Sequence, residues 1–245
     1  MLIVILFTNY GPYHIARIKA CHKLFKPLGW DIIGLEISRS DKLYSWKTDI
    51  QKFPVSIISI INDKSDKNLS FRELFIKTNS TLSQLKPDVL AIAGYAEPMM
   101  LSALFWGLWH KKPAILLSDS KEDDAERSWL RETLKTLVVR KYRAALVAGQ
   151  PHKRYLIQLG IPSDSIFCGY DVVGNDDFHP KKIKFLPVPH QKPYFLAINR
   201  FVAKKNLSTL ISSYGNYHQK AGVNAWDLVL CGDGELRPQI EQQIA

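Results

Sequence analysis

Three cations and a glycine turn are the residues whose types and spacing most suggest chemistry. Arg200, Lys204 and Lys205 follow a short apolar strand, Tyr194 to Ile198, and a helix opens after them at Asn206. Asparagine is a favoured N-cap residue. About two dozen residues on, the strand in DLVLCGDGE runs into a turn at Gly232, Asp233 and Gly234. Strand, basic loop, helix, strand and glycine turn is the layout of half a nucleotide-binding α/β domain, whose ligand sits at the carboxyl ends of the strands. Cations beside a helix N-terminus suit a diphosphate there. The plainer alternative is a solvated basic loop, with glycines that serve only a tight turn.

Such a loop needs a scaffold, and the preceding chain reads as alternating strands and helices. MLIVILF is a buried first strand of a parallel sheet that stops at Thr8 to Gly11. Gly11-Pro12 make a turn, and His14 opens an amphipathic helix with Ile15, Ile18, Cys21 or His22, and Phe25 at helical spacing. Strands follow at WDIIGLEI, VSIISII, DVLAIAG, AILLSD, AALVAG and IFCGY. Helices fall at FRELFIKTNSTLSQL, at the aromatic-rich EPMMLSALFWGLWHK, at a basic stretch from about Asp124 to Tyr142, and around PHKRYLIQLG. This alternation predicts βαβ units and a mostly parallel sheet. Handedness then gathers the loops after the strands on one edge. That edge carries Asn9 to His14, Gly94 to Glu97, Ser118 to Asp124, and Gly149 to His152. His14 is a candidate there for moving a proton at a pKa near neutrality; otherwise it caps or packs its own helix.

Between Asp176 and Pro193 the chain holds four prolines and several lysines without a period, which reads as a linker. The expected organisation is a Rossmann-like domain at 1–178, a hinge at 179–192 and a second Rossmann-like domain from 193. The 245 residues carry 46% hydrophobic and 23% charged side chains, which is ordinary for a soluble globular chain. Thirty-three Lys and Arg against 23 Asp and Glu give a net charge of +10, which favours anionic partners. Cys21, Cys168 and Cys231 are far apart with no metal-ligand spacing and read as reduced thiols of a cytoplasmic protein. MLIVILF has no basic leader and is too short to span a bilayer.

In the order Arg200, Lys205, helix, strand and Gly-Asp-Gly, the chain resembles the donor half of the group 1 glycosyltransferases, glycosyltransferase family four. KPDVLAIAG, KKPAILLSDS, AALVAGQPHKRYLIQLGIPSDSIF and a closing Phe178 follow the N-terminal half of that family in order. The resemblance implies a GT-B fold, two Rossmann-like domains facing each other across a cleft. It implies transfer of a sugar from a nucleotide-sugar to a glycan or lipid-linked acceptor, with retention. Arg200 and Lys205 would grip the diphosphate, and Gly232, Asp233 and Gly234 would belong to the donor site; Asn206 stands where the family often has Gly. Asp119 occupies the place of a functional histidine of many members, so it could orient an acceptor hydroxyl but not act as that histidine does. Gly11, Glu97 and Ser118 fall on the acceptor side. The family commonly has Asn-Gly-Val-Asp before the hinge, where this chain reads Tyr170 to Asn175.

No cofactor or metal is expected: Asp123-Asp124 and Asp176-Asp177 lack a DxD pattern, and the fold usually needs none. The second domain reads as incomplete, since two strands make a marginal sheet and the family's paired glutamates would lie beyond Ala245. A truncated form of a longer enzyme is the leading expectation, and a non-catalytic binding remnant the alternative. The basic helix near Arg127 to Arg143, with Trp129 and the aromatics Phe105, Trp106 and Trp109, makes an anionic membrane surface a candidate partner at the inner face. Its alternative is a core-facing helix with a solvated basic side. Nucleic acid is disfavoured, because charge is the sole feature pointing to it.

Overall fold

The computed structural model describes residues 1–38, 54–61, 70–124, 127–176, 178–187 and 189–244. The chain divides into two compact units, Met1–Phe178 and His179–Ala245. In the first, seven parallel strands form one sheet in the order β3-β2-β1-β4-β5-β6-β7. They are β1 (Leu2–Phe7), β2 (Asp31–Ser38), β3 (Ser56–Ile61), β4 (Val89–Ala93), β5 (Ala114–Ser118), β6 (Ala144–Val147) and β7 (Ile166–Cys168). The helices are α1 (Pro12–Phe25), α2 (Phe71–Leu85), α3 (Pro98–Trp109), α4 (Trp129–Val139) and α5 (Gln150–Gln158).

Strand periodicity assigns the layers. Successive side chains of a strand point to opposite faces. Val4 and Leu6 of β1 join Leu90, Ile92 and Leu116 in a core covered by α2 to α5 through Leu82, Met100, Val139 and Leu156. Ile5 and Phe7 point the other way, against Ile15 and Ile18 of α1. A sheet covered on both faces explains why these strands are apolar runs. The register aligns Val4 with Ile33 of β2 on one side and Leu90 of β4 on the other. From β1 the chain leaves through α1 toward β2, and from β4 it leaves through α3 toward β5. The topological switch point of the sheet is therefore the gap between β1 and β4 at their carboxyl ends.

The second unit contains α6 (Pro180–Ile183), β8 (Tyr194–Ile198), α7 (Leu207–Ala221), β9 (Asp227–Cys231) and α8 (Arg237–Ile244). β8 and β9 pair in parallel, Leu196 opposite Val229. Phe201, Leu207, Ile211 and Ile240 form the small core of this unit.

Two expected boundaries shift. The basic helix begins at Trp129, not near Asp124; Ser128 is its N-cap, and Glu122–Asp124 form a separate single turn. Arg127 holds that turn by donating to the carbonyls of Lys121 and Glu122. The Pro/Lys-rich linker also contains a short helix, α6, whose first turn Pro180 suits. Asp177, one of the aspartates considered for metal, lies outside the described residues.

Candidate functional site

The loops that follow β8 and β9 are joined through their backbones. Asn199 N–H donates to Cys231 O at 3.1 Å, Phe201 N–H to Asp233 O at 2.8 Å, and Leu236 N–H to Phe201 O at 3.0 Å. This seam leaves no space for side chains at two positions. A Cβ on Gly232 would overlap the carbonyl oxygen of Asn199, and one on Gly234 would stand 2.6 Å from Phe201 O. The glycines are there because two chain segments approach closely. Arg237, at the start of α8, locks the turn. Its Nε donates to Asp233 Oδ1 at 2.9 Å, one terminal nitrogen to Gly232 O at 2.8 Å, and the other to Glu241 at 3.0 Å. The guanidinium also lies 5.5 Å over the ring of Phe201. Arg237 first, then the N–H of Gly234, hold the Asp233 carboxyl below the usual carboxylate range. Asp233 is thus engaged in building the turn. Sequence reasoning passed over Arg237, although its spacing of four residues from Asp233 was a usable signal.

Beside this seam stand the cations. Arg200, half-buried, lies between Asn199 and Phe201, and Lys205 is exposed at the end of the single turn Ala203–Lys205 that leads to α7. The N-cap expected of Asn206 needs correction. Asn206 occupies that position at φ +49°, but its side chain makes no capping bond to the helix backbone. Its Oδ1 instead accepts from the Thr209 hydroxyl at 2.9 Å. The position demands a left-handed backbone, which asparagine and glycine tolerate best.

In the first unit, the carboxyl edge of the sheet brings together the loops after β1, β4 and β5, which are neighbours in the sheet. The β1 loop is anchored from below. Tyr10 is buried, its hydroxyl donates to Ile5 O at 2.8 Å, and its ring lies where a Cβ on Gly34 would come within 2.8 Å. Its N–H donates to Glu36 at 2.8 Å, and the fully buried Glu36 also accepts from the Ser59 hydroxyl at 2.6 Å. A carboxylate buried this deeply must be satisfied by donors. Burial raises the Tyr10 phenol well above its usual range, with the Glu36 charge adding to it.

Gly11 is the N-cap of α1, and His14 sits in the first turn. The ring of His14 stacks on Phe7 at 4.1 Å, and its Nδ1 accepts from Gly11 N–H at 3.3 Å. Burial first, and the Arg17 charge second, push its pKa down to about 4. The expectation of a proton-moving histidine near neutral pKa is therefore corrected: His14 caps and packs its own helix and is neutral at pH 7. With Nδ1 accepting, the proton resides on Nε2. Ser118 is buried at the end of β5 and its Oγ accepts from Ser120 N–H at 3.2 Å; Asp119 follows it, exposed. Glu97, also exposed, is the N-cap residue of α3 but makes no capping bond. Tyr142 reaches this edge from the far side, donating to Gly94 O at 3.2 Å.

A second group at this edge escaped the sequence reading. Arg17 of α1 donates to Asp171 Oδ1 at 2.6 Å and to Val172 O at 3.0 Å, and lies 4.8 Å over the ring of Tyr170. Burial raises the Tyr170 phenol to about 12, with the nearby charge of Asp119 contributing and Arg17 opposing. His14, Arg17, Tyr170, Asp171 and Asp119 are thus electrostatically linked. Arg17 one turn after His14 was the available signal; its partners 154 residues away were not visible locally.

Solved structures share this architecture. The chain aligns over 100% of its length with 68% of the UDP-GlcNAc 2-epimerase of Neisseria meningitidis bound to UDP-GlcNAc, at TM-score 0.61 and 16% identity. It aligns over 99% of its length with 63% of a glycosyltransferase from Rickettsia africae, at TM-score 0.63 and 14% identity. The lipopolysaccharide outer core galactosyltransferase WaaB aligns over 71% of its own length at TM-score 0.52 and 14% identity. The fold is GT-B-like. The chain spans about two thirds of the length of these structures. No family model matches the chain, and no curated protein matches it in sequence.

Proposed function

We propose that this chain is the core of a glycosyltransferase that moves a sugar from a nucleotide-sugar to a glycan or lipid-linked acceptor, with retention, on the cytoplasmic side of a membrane. The observation that carries the reading is the seam of the second unit: Asn199 and Phe201, on either side of Arg200, hydrogen-bond to Cys231 and Asp233, so the basic loop and the Gly-Asp-Gly turn are held together at the ends of two parallel strands, just ahead of α7. In transfer, the bond from the anomeric carbon to the diphosphate breaks, one to the acceptor oxygen forms, and the proton of the acceptor hydroxyl passes to the departing diphosphate. Negative charge grows on the departing diphosphate, and the sugar becomes oxocarbenium-like. Arg200 and Lys205, rather than a metal or cofactor, offset that charge. Gly232 and Gly234 let the backbone close, and Asp233 holds the turn in shape. On the acceptor side, Gly11, Glu97 and Ser118 line the strand ends and Asp119 orients a hydroxyl. His14 holds the opening of α1 in place and supplies no base.

Calorimetric titration with UDP and GDP tests the donor site. Arg200→Ala combined with Lys205→Ala should weaken binding by about tenfold or more, the loss expected of charge-assisted contacts from one half-buried and one exposed cation. No binding by the unaltered chain, or equal binding by the variant, overturns the assignment. The likeness to the Neisseria epimerase, at nearly the same TM-score as the Rickettsia transferase, favours one second reading: a nucleotide-sugar epimerase. Incubation with UDP-GlcNAc and no acceptor separates them. An epimer, whether of the intact nucleotide-sugar or of the released sugar, supports the epimerase, and release of UDP together with free GlcNAc, its sugar passed to water, supports the transferase.

A further inference from the structure

We propose that the outer face of α2, α3 and α4 docks on an anionic phospholipid bilayer, with headgroup phosphates entering a basic cavity between the ends of α3 and α4. The two parts of this surface lie on one side of the sheet, because α2 to α5 all cover the same face. An aromatic ladder runs across α2 and α3: Phe71 to Phe75 at 6.2 Å between ring centroids, Phe75 to Phe105 at 5.6 Å, and Phe105 to Trp109 at 6.2 Å. Trp109 is 76% exposed, and Phe71 and Phe105 are also exposed. On α4, Trp129 is 81% exposed, and Leu130, Leu134 and Leu137 form an exposed stripe at helical spacing. A contiguous run of exposed aromatics marks an interaction surface, where scattered apolar residues would not.

The cavity holds about 390 Å³ and is lined by Lys111, Lys112, Arg140, Lys141 and Arg143, with Leu108 on its wall. Cations at helix C-termini ordinarily offset the dipole, and that explains one or two of them. Five exceed that need. Among the described residues, the acidic partner of this group is Asp88, bonded to Lys112 at 2.9 Å. A soluble polyanion would use the cations and leave the aromatic ladder in water. The interface of an anionic bilayer uses both, since amphipathic rings settle at the headgroup level while lysine and arginine meet lipid phosphates. This inference stands independently of the transferase reading.

Flotation of the full chain with vesicles tests it. Vesicles of phosphatidylcholine with about one third phosphatidylglycerol should bind the protein, and pure phosphatidylcholine should not. Lys111→Gln, Lys141→Gln and Arg143→Gln together should weaken binding by about a hundredfold, from roughly a factor of five per charge. Trp109→Ser with Trp129→Ser should weaken it by about tenfold or more. Lys204→Gln with Lys205→Gln, in the other unit, should leave it unchanged. Circular dichroism and thermal melting show that each variant is folded. Absence of binding to the anionic vesicles overturns the proposal, and so does binding that neither cavity nor tryptophan variants reduce. An equal loss in the Lys204/Lys205 variant, or binding of inorganic pyrophosphate to the cavity without vesicle binding, overturns it as well.

Discussion

At the scale of single residues, His14 shows how burial reverses an expected role. Its pKa lies at about 4 in the folded chain against 6.5 when unfolded. Between these values the unfolded chain binds the extra proton, so folding is opposed as pH falls from 6.5 toward 4, and the contribution is fully present above pH 6.5. The whole shift is worth roughly 3 kcal/mol, and the part of the ring that water still reaches reduces this to about 2 kcal/mol. Urea unfolding at pH 7 and pH 4.5 should show the unaltered chain losing more stability on acidification than His14→Asn, by about that margin. An equal loss in the two proteins would mean that the ring is charged in the fold. Arg17 carries the complementary lesson. It tethers the loop after β7 through Asp171 and Val172. Arg17→Met keeps the stem and removes three polar or cation–π contacts, two of them half-exposed. The expected cost is about 1 kcal/mol in urea unfolding, accompanied by faster amide exchange over Tyr170 to Val172.

At the scale of elements, the decisive device is the seam between the ends of β8 and β9. Gly232→Ala sets a Cβ against the Asn199 carbonyl, and backbone cannot swing aside as a flexible side chain can. The expected cost is about 3 kcal/mol, with UDP affinity falling alongside, because the cation loop would separate from the glycine turn. Gly215 is the matched control. It is exposed within α7 and a Cβ there meets nothing within 4 Å, so Gly215→Ala should stabilise the second unit by about 0.8 kcal/mol without changing nucleotide affinity. Thermal unfolding and calorimetry on both variants check the pair. Much of this level was legible in the sequence. Apolar runs such as VLAIA and AILLS gave β4 and β5, and Lys86-Pro87 closed α2, with Lys86 at φ +50°. The start of α4 was not legible, since Ser128 and the acidic turn before it both resemble helix openings, and Arg127's bonds decide between them. The left-handed Asn206 was equally hidden, because asparagine suits both an N-cap and a positive φ.

At the scale of the whole molecule, the order of strands and the sizes of the cores come from long-range packing, which local pattern does not encode. Alternation of strands and helices predicts parallel pairing, but nothing in MLIVILF says that β1 will have β2 on one side and β4 on the other. The same limit applies to Arg17 and Asp171, which meet only because α1 and the loop after β7 share one edge. The two units differ most in what they bury. The first closes apolar layers on both faces of seven strands, whereas the described second unit rests on Phe201, Leu207, Ile211 and Ile240, with Leu196 and Ile198 of β8 exposed. Stability follows the buried apolar area, so the second unit should open at lower free energy, and unfolding should depart from a single two-state transition. Exposed Lys181 and Lys184 lie just past the unit boundary at Phe178. Brief trypsin treatment should cut there first and leave a fragment of residues 1 to about 181 that resists further digestion. Amides of β1, β4 and β5 should exchange more slowly than those of β8 and β9. Addition of UDP should slow exchange in β8 and β9 while leaving β1, β4 and β5 unchanged, because a ligand stabilises the unit it binds. Protection that appears only in the first unit would move the nucleotide to the other sheet, and with it the roles assigned to Arg200 and Lys205.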